Sequence, residues 1–105
     1  MQVLYQRVGG IDVHKAEVRL AVRVPDEKPG TRRMEIRKYK TYYGVLKEMT
    51  AWLTEQGVTH VAMESSGIYT MPVFHALMHF GLFEQVLVCK RRPRQERPWP
   101  QDRFG

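Results

Sequence analysis

The feature that most constrains the fold is a change of hydrophobic period near residue 41. From Ala16 to Val24 apolar and polar side chains alternate, with Val18, Leu20, Val22 and Val24 on one face and Glu17, Arg19 and Arg23 on the other. A period of two belongs to a half-buried β-strand. From Thr41 onward Val45, Leu46, Met49, Trp52 and Leu53 recur at helical spacing, the pattern of an amphipathic helix. Sheet and helix must therefore share one core, and at 105 residues one small domain is the ceiling.

Punctuation along the chain sets the element order. An apolar stretch from Tyr5 to Val13, around Gly9 and Gly10, predicts a first strand. Val13-His14-Lys15-Ala16 is short enough for a hairpin turn into the second. Pro25 to Gly30, with Asp26, Glu27, Lys28 and Pro29, predicts another turn. A third strand follows over about Arg33 to Tyr39, with Met34 and Ile36 expected to face inward. Thr41 is a candidate N-cap for the first helix and Gly57 its C-terminal stop. Val58 to Ser65 predicts a fourth strand, and Ser66-Gly67 a turn. A second helix from about Tyr69 carries Pro72 in its first turn, where the missing N–H is tolerated, and ends at Gly81. Gln85 to Cys89 predicts a fifth strand.

The resulting order is a three-strand antiparallel meander, then helix, strand, helix, strand. Helical crossovers place successive strands parallel, so the sheet is mixed and the fold class α/β. That order is the core of the RNase H-like fold, although other mixed folds share it.

Composition excludes more than it assigns. The chain is 43% hydrophobic and 27% charged, as soluble globular proteins are, and no apolar run approaches the roughly 20 residues of a membrane span. Met1 to Arg7 lacks the basic-then-apolar order of a signal peptide, and Cys89 is the only cysteine. A reducing, cytoplasmic location without a membrane partner is the expectation. The formal charge of +6 is uneven. Residues 1–89 carry 11 Lys and Arg against 9 Asp and Glu, whereas 90–105 carry 6 against 2. The tail, broken by Pro93, Pro98 and Pro100, has no periodicity and is expected to be disordered, its charge serving either nucleic acid or solvation.

Two acids stand where strand ends are expected. Asp12 lies within Gly10-Ile11-Asp12-Val13-His14-Lys15, and Glu64 within Val61-Ala62-Met63-Glu64-Ser65-Ser66-Gly67. β-propensity and burial both disfavour a carboxylate in such runs. Spacing alone favours a turn or capping role for each. If the two strands are neighbours, however, the carboxylates can converge on a hard cation such as Mg²⁺, which takes oxygen ligands and keeps several waters. Paired ions of that kind serve phosphodiester chemistry.

Those two runs, together with Trp52-Leu53, Gly57-Val58-Thr59-His60, Ile68-Tyr69 and Pro72-Val73-Phe74-His75-Ala76-Leu77, resemble the amino-terminal domain of the insertion-sequence-110 family of transposases, which are DEDD-type, RuvC-like recombinases. The resemblance covers about residues 5–89. It implies metal-dependent DNA cleavage and strand transfer in transposition, with four acids holding divalent metal. The first matches Asp12 and the second Glu64; both would be catalytic residues and metal ligands. It also implies DNA, at element ends and target, and a structured guide RNA as partners. A homo-oligomer stays open.

The family's third and fourth acids lie in and just after a Lys-Thr-Asp motif, and a separate carboxy-terminal domain supplies a serine nucleophile. No counterpart is present here. Residues 1–89 would thus be an incomplete transposase domain. Back-translating Pro93 to Phe104 and reading one base later permits His-Val-Lys-Asn-Val-Pro-Gly-Arg-Lys-Thr-Asp, with Gly forced at Trp99-Pro100. The expectation is a frameshift near Cys89 and an out-of-frame basic tail over 90–105, leaving a fragment inactive alone. The rival expectation is a non-catalytic fragment that binds DNA or RNA, or interferes with a full-length transposase.

Other signals are weaker. His14 and Lys15, in the turn after Asp12, are candidate nucleic-acid contacts, although a solvent-exposed turn accounts for His14 more simply; Lys15, charged at pH 7, is the better phosphate contact of the two. His75 and His79 share a helix face, but no third ligand is apparent. Ser65 and Ser66 lack a Gly-x-Ser-x-Gly elbow and are expected to cap the turn into the second helix. Tyr42 and Tyr43 are expected to flank the first helix, and Trp52 to join the core rather than stack bases.

Overall fold

A computed structural model describes residues 6–64 and 67–89. Ser65, Ser66 and the basic tail from Lys90 onward lie outside the described residues, and with them the expected capping turn and the out-of-frame segment. The elements are β1 (Val8–Val13), β2 (Glu17–Pro25), β3 (Arg32–Lys40), α1 (Tyr43–Glu55), β4 (His60–Glu64), a single 3-10 turn (Gly67–Tyr69), α2 (Thr70–Phe80) and β5 (Gln85–Cys89). The five strands form one sheet in the order β3-β2-β1-β4-β5. β1, β2 and β3 make an antiparallel meander, and β1, β4 and β5 run parallel. The expected α/β mixed sheet is what the chain adopts. Among the described residues no helix is long and apolar enough to cross a membrane.

Strand alternation decides where the core lies. Directly paired residues share a sheet face, so Ile11 and Val13 of β1 stand with Leu20 and Val18 of β2 and, in β4, with Met63 beside Ile11. That face packs on Leu46, Met49 and Leu53 of α1 and on Val73, Ala76 and Leu77 of α2, in one buried cluster. β1 has Gly9 where it passes under α1: a Cβ there would stand 3.4 Å from Leu53 Cδ2. Both described helices cover the same side. The opposite face carries Ile36, Ala21, Gly10, Ala62 and Leu87 in one register row, and Ile36 and Leu87 are exposed.

α1 ends by a mechanism visible in its hydrogen bonds. The Val58 amide donates to the Leu53 carbonyl at 3.1 Å and the Gly57 amide to Thr54 at 3.0 Å, the paired bonds of a Schellman motif. Gly57 has φ +73°, a left-handed value for which glycine is suited. Val58 and Leu53 are both buried, supplying the apolar contact that accompanies the motif. At the other end Thr41 is not the cap. Tyr42 occupies that position with extended φ and ψ and makes no side-chain cap bond; its carbonyl accepts the Leu46 amide at 2.9 Å.

β3 departs from the expected orientation. Met34 and Ile36 face away from the helices and are exposed, because the register pairs them with Arg23 and Ala21 of β2. Arg33, Glu35, Arg37 and Tyr39 take the helix side instead. β3 is an edge strand that α1 covers only in part, so charge is tolerated there, as edges commonly show. Arg37 lies over the Trp52 ring at 3.9 Å from its centroid. Trp52 is half-buried against the core, and Tyr42 and Tyr43 flank the start of α1, both exposed.

Candidate active site

Asp12 and Glu64 are brought together by strand register. β1 and β4 run parallel, and their last paired positions are Asp12 and Glu64. Cα partners on neighbouring strands stand about 5 Å apart and point to the same face. Each carboxylate residue is only 4% exposed. Local chain logic explains the placement: Ile11 and Val13 must face the helices, so the residue between them has to emerge on the opposite face. The same alternation sends Met63 inward and Glu64 outward from the helix side.

Two carboxylates set side by side in this way repel when both are ionised. Such a pair is a poor structural device and a good half-shell for a hard cation. Its donors are oxygens, as Mg²⁺ requires, and a pair leaves the remaining positions to water or phosphate. The residues therefore fit a divalent cation. Among the described residues no group of three or more His, Cys, Asp and Glu is arranged to hold one; what they offer is a carboxylate pair rather than a closed cage.

His14 is not a free turn residue. Its Nε2 lies 2.8 Å from Asp12 Oδ2, with the imidazole 35% and the Asp12 side chain 5% exposed. With Asp12 ionised, Nε2 carries the proton and donates. The β1–β2 turn holds the ring in place, closed by the His14 amide donating to the Glu17 carbonyl at 2.8 Å. Lys15, at the turn tip, is exposed. His75 and His79 are on the exposed side of α2, where His79 packs edge-on to Phe80, far in topology from the carboxylates.

Three neighbours were not singled out from the sequence. Arg19 is the β2 partner of Asp12 and Lys38 is the β3 partner of Arg19, while Cys89 of β5 is the partner of Glu64. One row across the sheet thus reads Lys38, Arg19, Asp12, Glu64, Cys89. Alternation placed Arg19 on the polar face, but only register reveals which acid it stands beside.

No protein-family model and no curated protein matches the chain. Solved structures do. Thermus thermophilus RuvC is 18% identical with a TM-score of 0.54, over 71% of this chain and 57% of that one. The fowlpox virus Holliday junction resolvase is 14% identical with a TM-score of 0.58, over 86% and 67%; its complex with substrate Holliday junction DNA aligns at 16% and 0.55, over 94% and 67%. An Aquifex aeolicus member of the Ppx/GppA family is 20% identical with a TM-score of 0.52, over 87% and 36%. The chain spans little more than half the length of RuvC.

These likenesses define the class: the chain has the RNase H-like fold. Within that class it is RuvC-like in topology. At such identities the likeness extends to fold alone, and one fold hosts unrelated activities.

Proposed function

We propose that this chain carries the first half of a divalent-metal site for DNA phosphodiester cleavage and transfer, and that it corresponds to the amino-terminal part of a DEDD-type transposase of the insertion-sequence-110 kind. The observation that carries this reading is the register pairing of Asp12 with Glu64 at the carboxyl ends of adjacent parallel strands, both nearly inaccessible. Ligand sites in sheets with parallel strands characteristically lie at those ends. Further support comes from the fowlpox resolvase, a protein of the same fold solved with Holliday junction DNA.

Asp12 and Glu64 would hold the cation. When bound, a divalent metal offsets charge on a phosphodiester and activates the attacking oxygen. The protein's own part is to aim both carboxylates at one point. β1 and β4 supply the aim through their backbone ladder. His14 Nε2, 2.8 Å from Oδ2 of Asp12, would fix that carboxylate's rotation. Lys15, exposed at the turn beside this pair, would meet phosphate. Guide RNA and self-association belong to the same reading, as partners that the transposase resemblance implies or allows.

The test is metal-dependent DNA affinity. Duplex DNA binding by the 105-residue chain is expected to strengthen several-fold on adding Ca²⁺ or Mg²⁺ at constant ionic strength, because a cation held by Asp12 and Glu64 would offset phosphate charge there. Asp12→Asn and Glu64→Gln should each abolish the increment. An increment that survives both substitutions would refute the assignment. With two described carboxylates, the chain alone should show no strand transfer with Mg²⁺; transfer that disappears in Asp12→Ala would overturn that expectation.

A further inference from the structure

The net charge of the folded part conceals a strong asymmetry. The β2–β3 hairpin, residues 17–40, has eight Lys and Arg against four Asp and Glu, a net of +4. The other described residues have three against five, a net of −2. Within the hairpin the bases are also sorted by face. Register sends Arg19, Arg23, Arg32, Lys38 and Lys40 to the side away from the helices, with Glu17 as the single acid there. The helix-facing side of β2 is apolar instead, through Val18, Leu20, Val22 and Val24.

Position matters more than number. Asp12 is paired with Arg19, and Arg19 with Lys38, so the row passes from carboxylates to cations in successive strand spacings of about 5 Å. Lys40 lies two residues beyond Lys38 on the same face and is exposed, as is Lys38. Arg19 is held at Glu17, Nε to Oε2 3.1 Å. Along β2 the step from Arg19 to Arg23 is about 13 Å at strand rise.

We infer that the outer face of the β2–β3 hairpin, centred on Arg19, Lys38 and Lys40, binds the phosphodiester backbone of duplex DNA next to the Asp12–Glu64 pair. This deepens the proposed function and rests on it for the identity of the nucleic acid. Acids and bases then divide the work. The carboxylate pair, which repels phosphate on its own, would take the reacting phosphate only with a divalent cation held by Asp12 and Glu64. The hairpin takes its neighbours directly, and sequence-independently, since phosphate contacts position the duplex without reading it. Lys15 and His14, in the turn joining β1 to β2, stand where the two territories meet.

The test uses the full 105-residue chain in EDTA, so that no metal contributes. Lys38→Gln with Lys40→Gln removes two exposed cations. It is expected to weaken binding to a labelled 20-base-pair DNA duplex about tenfold and to lower the slope of log K against log salt by about 2. Lys28→Gln with Lys47→Gln, equal in charge but on the far turn and on α1, should leave both unchanged. Lysine acetylation of the unmodified chain gives a second measurement independent of variant folding. DNA should protect Lys38 and Lys40 while Lys28 and Lys47 react as before.

Equal loss in the two double variants overturns the proposal, as does protection confined to Lys90, or binding to duplex RNA without binding to DNA. The metal-site reading can fail separately. If the hairpin result holds but cations add no Asp12-dependent affinity, the phosphate platform stands and the metal assignment falls.

Discussion

Asp12 sits where burial and a neighbouring acid both count against a charge. Its neighbours Ile11 and Val13 are fully buried, its backbone is tied into two ladders, with Glu64 as its register partner on β4, and its side chain meets His14. A neutral isostere should relieve the carboxylate repulsion. Asp12→Asn in EDTA is therefore expected to raise the unfolding free energy by about 1 kcal/mol, measured by urea denaturation, and to lose that advantage in saturating Mg²⁺. A variant less stable than the parent in EDTA would contradict the repulsion account. The two acids were legible in the sequence because a carboxylate inside an apolar run is costly. Their pairing was not, since it depends on which strands become neighbours. The partner role of His14 was hidden for a different reason: a turn histidine has no periodicity from which to read its direction.

The elements of the fold separate into those that local sequence determines and those that register determines. β2, α1 and β5 follow from their apolar spacing; β5 spans the expected residues, and the observed limits of β2 and α1 differ from expectation by a residue or two. α1 also displays its stop, because Gly57 is needed for the left-handed turn. Gly57→Ala is expected to cost about 1–2 kcal/mol, since a Cβ there meets strained φ and stands 3.2 Å from Arg7 Cδ. Leu53→Ala, fully buried beneath the same turn, should cost more, about 2–5 kcal/mol. Chemical denaturation of both variants ranks them, and the reverse order would mean the core beneath α1 is looser than described. β3 is where local reading failed. Met34 and Ile36 look like an inward face, yet a one-residue change of register inverts a strand, and pairing with β2 leaves Tyr39 as the residue packed on the core. In an edge strand with few apolar residues, hydrophobic pattern is too weak to specify orientation.

Across the whole molecule, fold and charge point to the same end of the sheet. The parallel strands β1 and β4 finish at the carboxylate pair, and the β2–β3 hairpin brings cations beside it. Sequence counting alone located the positive excess in the tail and made the folded part look nearly neutral. Three-dimensional sorting of the same residues changes that, because +4 on the hairpin and −2 elsewhere cancel only on paper. The far face of the sheet also has an apolar centre, with Met34, Ile36 and Leu87 exposed. No described helix covers it, so the cations form the rim of a surface rather than isolated solvated groups.

The central claim is that Asp12 and Glu64 together make one divalent-cation site, and Mn²⁺ binding followed by electron paramagnetic resonance tests it most directly. The full chain should bind Mn²⁺ competitively with Mg²⁺. Asp12→Asn and Glu64→Gln should each weaken binding by about tenfold or more, as loss of half the carboxylate set requires, whereas Glu48→Gln on the exposed side of α1 should leave it unchanged. Equal Mn²⁺ affinity in all four proteins would contradict the account.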